Sequence, residues 1–217
     1  ERDETEIRAQ TGQSRAVSDQ DVPSGRWVLS FSDGPHARRT DRILMALEAQ
    51  NWPSNFFFTG ERTVQALGLI RAARDLGHIV GSQGYAMESL MHATLKEASH
   101  SIGRGSQQIG SPLGITPLLF RFPYGLGTPS LNDFVAEHGM RPVEWTLDSL
   151  DWKIRDPNEL RQYLVGEMMK KDHGIVLLHD TLEQTALALP GILADLRANG
   201  IRPAVIVPDT RAEIARY

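Results

Sequence analysis

The 217-residue chain contains no cysteine, and that absence removes several kinds of protein at once. A disulfide scaffold, a thiolate zinc site, an iron–sulfur cluster and a cysteine nucleophile are all excluded. The missing cysteines do not fix the compartment, because a chain of this length buries enough surface to fold without staples. Long hydrophobic runs are missing too. No apolar stretch approaches the roughly 18 residues that cross a bilayer, so no membrane span is expected. No run of Lys or Arg exceeds two and the formal net charge is −4, so the footprint of a nucleic-acid binder is also lacking. Any metal must therefore be held by His, Asp or Glu, which turns attention to the seven histidines. Glu1 rather than Met opens the chain, so a processed or truncated form is expected, any signal peptide or anchor having been removed.

What is present divides into a polar N-terminal extension, residues 1–24, and a single domain, residues 25–217. In the extension Glu1, Asp3, Glu4, Glu6, Asp19 and Asp21 outnumber Arg2, Arg8 and Arg15, and Pro23-Ser24-Gly25 punctuates its end. It is expected to lie on the domain surface, with a short helix over 3–9. From Arg26 onward, short apolar runs alternate with helical spacing. Strands are predicted over 27–31, 55–58, 78–80, 118–120, 141–145, 175–178 and 204–207. Helices are predicted over 41–50, 61–76, 95–109, 130–137, 157–169 and 182–198. Strands of about four residues alternating with longer helices indicate a parallel α/β fold. Seven such units suggest an irregular (β/α)7-type barrel rather than an open sheet. In barrels the chemistry gathers at the carboxyl ends of the strands.

Those ends carry a concentration of polar and aromatic groups. The first strand leads into Ser32-Asp33-Gly34-Pro35, and the third into Gln83-Gly84-Tyr85-Ala86-Met87. The 118–120 strand leads into Arg121-Phe122-Pro123-Tyr124. The 141–145 strand is followed by Asp148-Ser149-Leu150-Asp151-Trp152, and the 175–178 strand by His179-Asp180.

In order and spacing over residues 26–207, these segments resemble the polysaccharide deacetylases of the NodB homology domain, the metal-dependent enzymes of carbohydrate esterase family 4. That family removes acetyl groups from sugars. Its Arg-x-Pro-Tyr motif is matched at Arg121–Tyr124, its Asp-x-x-Asp-Trp motif at Asp148–Trp152, and its Leu-x-His motif at Leu177–His179. The resemblance implies Asp33 as a metal ligand, His179 as general acid, Asp151 as its partner and Arg121 as the residue that orients the base. It further implies the Tyr124 backbone N–H as an oxyanion donor, with Trp152 and Leu177 lining the acetyl pocket and Pro123 and Asp148 in the substrate-binding motifs.

Three positions depart from the pattern. Where the family has its catalytic base stands Ser32, whose hydroxyl does not ionise near neutral pH. The two histidine ligand positions are Gln83 and Met87, a neutral amide and a soft thioether, which suit zinc poorly. No cofactor is therefore expected, beyond weak binding of a divalent metal such as zinc near Asp33. The pattern reads as a deacetylase-like domain without activity that keeps a groove for an acetylated N-acetylhexosamine polymer or for a protein partner. The alternative is an active deacetylase with an altered metal site. The extracytoplasmic location of the family's substrates implies the same location here.

Several local expectations follow. Gln83 bonds to Asp33, Met87 packs rather than ligates, and Arg121, deprived of a carboxylate at residue 32, pairs with Asp33 or Asp148. Asp33-Gly34-Pro35 could serve merely as a strand-to-helix turn. His78 is read as structural and His92 and His100 as solvated, with a relocated site on His78 or His92 as the alternative. Ser32, His179 and Asp151 also supply the residue types of a nucleophilic triad.

Overall fold

The computed structural model describes residues 5–209. Its strands are β1 (Glu6–Gln10), β2 (Arg26–Ser32), β3 (Asn55–Phe58), β4 (Ile79–Ser82), β5 (Leu119–Phe120), β6 (Arg141–Pro142), β7 (Leu147–Asp148), β8 (Gly174–His179) and β9 (Arg202–Asp209). Its helices are α1 (Arg39–Ala49), α2 (Gly60–Thr63), α3 (Leu67–Asp75), α4 (Leu95–Gly110), α5 (Pro129–Glu137), α6 (Pro157–Met169) and α7 (Glu183–Ala198). The neighbours β7-β8-β2-β3-β4-β5-β6 form a parallel, nearly closed barrel, the expected (β/α)7 architecture.

Strand alternation decides what faces inward. Along β2, Trp27, Leu29 and Phe31 join the outer layer beneath the helices, whereas Val28 joins the barrel interior with Phe57 and Ile175. The next residues of the inward parity are Ser30 and Ser32 on β2 and Leu177 and His179 on β8. The strands pair with Ser32 opposite His179, so both end the inward columns at the barrel mouth. The helices are set by ordinary signals. α1 buries Thr40, Ile43, Leu44 and Leu47 at helical spacing. α4 begins with a Thr94–Glu97 capping box, and α6 with Asp156 accepting from Asn158 and Glu159 N–H ahead of Pro157.

The extension differs from expectation. Residues 6–10 form a strand, not a helix over 3–9, and pair in parallel with β9. Ile7 and Ala9 point into the interior cluster while Arg8 and Gln10 are exposed, a period-two pattern that suits a strand. Val17 and Val22 are buried in the same cluster. Val17 bridges to Val143, with Val17 N–H donating to Pro142 O at 2.9 Å and Glu144 N–H to Val17 O at 3.1 Å. Residues 5–24 thus run along the open side of the barrel and fill its floor, rather than lying on its surface. β9 is anchored there by Asn55, whose side chain donates to Ile206 O and accepts from Ile206 N–H.

Two further elements are shorter than predicted. The helix expected over 61–76 is interrupted at Ala66, whose φ of −143° is not helical, giving α2 and α3. The strand expected over 141–145 stops at Pro142, and the two-residue β7 follows it.

Candidate active-site pocket

A cavity of about 480 Å³ opens at the carboxyl ends of the strands. It gathers Ser32, Asp33, Gln83, Met87, Arg121, Tyr124, Asp148, Trp152, Leu177 and His179, all named from the sequence, and adds Phe122 and Trp145. Asp151 stands behind His179 rather than on the wall, and Pro123 is buried in the turn before Tyr124.

The loops that carry these residues hold unusual backbone. Asp33, Tyr124 and Leu150 have φ of 73°, 59° and 54°, in the left-handed region that side chains seldom adopt. Such positions cluster where surrounding structure fixes a functional geometry. At the Gln83 loop, a Cβ on Gly105 of α4 would fall 2.2 Å from the Gly84 carbonyl carbon, so bare backbone meets bare backbone there. That close approach holds the loop against α4 and aims Gln83 at Asp33.

Gln83 bonds to Asp33 as expected: its Oε1 accepts from the Asp33 N–H at 2.6 Å, and its Nε2 donates to Asp33 Oδ1 at 3.4 Å. Met87 lines the wall, and its carbonyl accepts from the Tyr124 hydroxyl at 3.1 Å, closing one side of the pocket. On the opposite side His179 Nδ1 meets Asp151 Oδ1 at 2.6 Å. Asp151 Oδ2 accepts from His179 N–H and Thr185 Oγ1, each at 2.7 Å. Burial opposes the His179 charge, but the Asp151 hydrogen bond and charge, aided by Asp33 and Asp148, raise its pKa above the ordinary value. Its Nε2 faces Asp33 Oδ2 at 3.9 Å across the cavity. Asp148 accepts from Leu150 N–H and from the Trp152 indole, fixing a half-exposed ring at the rim.

Arg121 corrects an expectation. It pairs with neither Asp33 nor Asp148. Its Nη1 donates to Ser32 Oγ at 3.2 Å, its Nε to Val143 O at 3.3 Å and its Nη2 to Glu144 O at 3.4 Å. Burial lowers its pKa to about 9 against the opposing pull of Asp33, which still leaves a cation at neutral pH. The triad reading fails on geometry. Among the described residues no hydrogen bond joins Ser32 to His179, and the Ser32 hydroxyl is engaged by Arg121 instead.

Asp180, which no motif singles out, is wholly buried, accepts from Thr40 and leaves Oδ1 without a partner among the described residues. Burial pushes its pKa to about 7, with Asp33 adding to the rise and Thr40 opposing it. It presses on Gly34, where a Cβ would lie 2.0 Å from its carboxylate. His78 is buried beside Phe56 and its pKa falls to about 4 because of that burial, whereas His92 and His100 are exposed.

Residues 19–143 match the polysaccharide deacetylase family model, and the chain belongs to that family. It is 31% identical over 177 residues to a peptidoglycan-N-acetylglucosamine deacetylase of Listeria monocytogenes, covering 81% of this chain but 36% of the relative's length. Its fold superposes on a peptidoglycan deacetylase of Bdellovibrio bacteriovorus with a TM-score of 0.85 at 26% identity, covering 97% of this chain and 62% of that one. A family 4 carbohydrate esterase from Streptomyces lividans gives 0.74 at 28% identity, with 84% and 93% covered.

The divalent metal that the resemblance implies does not fit the donors present. Among the described residues no three His, Cys, Asp or Glu side chains are grouped to hold an ion. Asp33 meets the Gln83 amide, already bonded to it, and faces a single imidazole, His179, at 3.9 Å, while Met87 adds only a thioether on the cavity wall.

Proposed function

We propose that this polysaccharide deacetylase domain is catalytically silent and retains its pocket for binding an acetylated glycan, an N-acetylhexosamine polymer. The observation that carries the reading is the Gln83–Asp33 pair. The amide takes the Asp33 N–H and one of its two carboxylate oxygens, so where the family places a histidine ligand a neutral amide is bonded to the retained aspartate. No water-activating base stands at Ser32. The glycan side, by contrast, keeps the features a sugar needs: the fixed Trp152 ring, the exposed Tyr124 ring and the apolar Leu177 wall. In this reading His179, held by Asp151 behind it, hydrogen-bonds a bound sugar rather than protonating a leaving amine, and Arg121 braces the floor. A protein occupying the same groove is the other use of this surface. Two of the relatives named above are peptidoglycan deacetylases, which supports an extracytoplasmic place of action. Among the described residues no helix is long and apolar enough to cross a membrane.

An active enzyme with an altered metal site is favoured by one feature, the complete His179–Asp151 arrangement. Metal analysis and acetate release from N-acetylglucosamine oligomers separate the two. The silent domain yields neither stoichiometric zinc, cobalt or nickel nor acetate, while calorimetry detects oligomer binding at millimolar concentration or better. Metal together with acetate would overturn the reading. The combined Ser32→Asp, Gln83→His and Met87→His variant is expected to gain metal binding.

A further inference from the structure

We propose that the cavity floor at Ser32 and Arg121 is a binding position for a carboxylate carried by a ligand. Arg121 is 1% exposed and its guanidinium, among the described residues, has no carboxylate within 4.0 Å. Three of its five N–H groups meet Ser32 Oγ, Val143 O and Glu144 O, all uncharged, and the other two find no acceptor among the described residues. The Phe57 ring centroid lies 4.1 Å from the guanidinium carbon and the Trp145 centroid 5.6 Å, so the cation rests against aromatic groups. These stabilise the charge but accept none of its in-plane hydrogen bonds. Ser32 accepts from Arg121, and its own hydroxyl hydrogen has no acceptor among the described residues.

A buried cation without a counter-charge is costly, and the missing partner is usually an anion with two oxygens in one plane. Both Ser32 and Arg121 line the cavity, so a carboxylate entering it meets an O–H and a guanidinium together. The opposing charge is Asp33, whose Oδ1 is turned to Gln83 and whose Oδ2 faces His179. Asp148 is occupied by Leu150 and Trp152. Asp33 weakens the site, and millimolar affinity is expected. The carboxylate can come from a small free acid or from an acidic sugar. The position goes beyond the reading of a neutral acetylated glycan and does not depend on it.

Thermal unfolding in formate and in glucuronate, with glucose as the neutral comparator, tests this on the wild type and on Ser32→Asp. At ten times its Kd, either carboxylate raises the wild-type Tm by about 3–6 °C, and glucose leaves it unchanged. Ser32→Asp supplies the carboxylate internally, so it melts higher in plain buffer and loses the response. A response to formate alone identifies a small-acid site, and a response to glucuronate identifies an acidic-sugar site. Equal shifts in wild type and Ser32→Asp, or no wild-type shift at about 100 mM of either acid, overturn the proposal. If Ser32→Asp does not fold, Ser32→Ala together with calorimetric titration of formate decides. The guanidinium remains in that variant, so binding weakens severalfold but persists, and absence of heat with the wild type refutes it.

Discussion

Behind the His179 wall of the pocket, Asp151 takes three hydrogen bonds on its carboxylate and a fourth on its carbonyl from Gln184, all in a buried setting. On the other, Asp33 is met by an amide and Arg121 by a hydroxyl and two main-chain carbonyls. Both walls satisfy much of their hydrogen-bonding capacity, so both can hold their shape. Only the first joins ionisable groups to each other, which lets a proton change the interaction. The comparison teaches that neutral partners can hold the shape of a pocket wall as charged ones do, while giving a proton no interaction to change.

The largest test of this contrast is Asp151→Ala. It strands the His179 side chain and the Thr185 hydroxyl, and a loss of about 3–5 kcal/mol is expected in urea unfolding. A loss below about 1 kcal/mol would mean that this wall does not rest on its ion pair. On the facing wall Gln83→Ala leaves the Asp33 N–H unpaired at a neutral partner and is expected to cost less, about 1–3 kcal/mol by the same measurement. Proton linkage sharpens the comparison. His179 has a raised folded-state pKa, so its stabilising contribution is full below its unfolded value near 6.5 and is lost as pH rises through the folded value. NMR titration of the His179 ring should therefore show a midpoint above about 6.5 that drops in Asp151→Asn, and a midpoint below that value would refute the arrangement. The smallest effect on stability belongs to Trp152→Ala at the rim. Unfolding should change by less than about 0.5 kcal/mol, while oligomer binding falls severalfold by calorimetry.

Much of the fold was legible because its strands are buried on both faces and read as short apolar runs, as in Trp27–Phe31 and Phe56–Phe58. Elements made by pairing rather than by pattern were not. β7 has two residues and exists through β8, and the helix expected over 61–76 breaks at Ala66, where neither Gly nor Pro marks the interruption. β1 was readable in principle, since Ile7 and Ala9 alternate with charged or polar neighbours, but the high charge of its surroundings outweighed a five-residue signal. Around the pocket, strand ends and family motifs announced the wall-lining side chains. The partners of Arg121 were hidden because two of the three are main-chain carbonyls, which carry no residue signature. Asp180 was overlooked for a related reason: its contacts with Thr40 and Gly34 join segments that meet only in the folded chain.

The pairing of β1 with β9 has a consequence for how the domain is assembled. Glu6 lies opposite Val205, so the contact that finishes the barrel floor joins residues almost the whole domain apart in sequence. Contacts of such separation close late and slow folding, since the loop entropy must be overcome before they form. During synthesis, Ile7, Ala9 and Val28 must wait for Ala204 and Ile206 to emerge before their shared cluster can close. The floor therefore acts as a completion check. A chain ending before Arg202 retains every pocket residue yet leaves that cluster open to water, which marks it for aggregation or proteolysis.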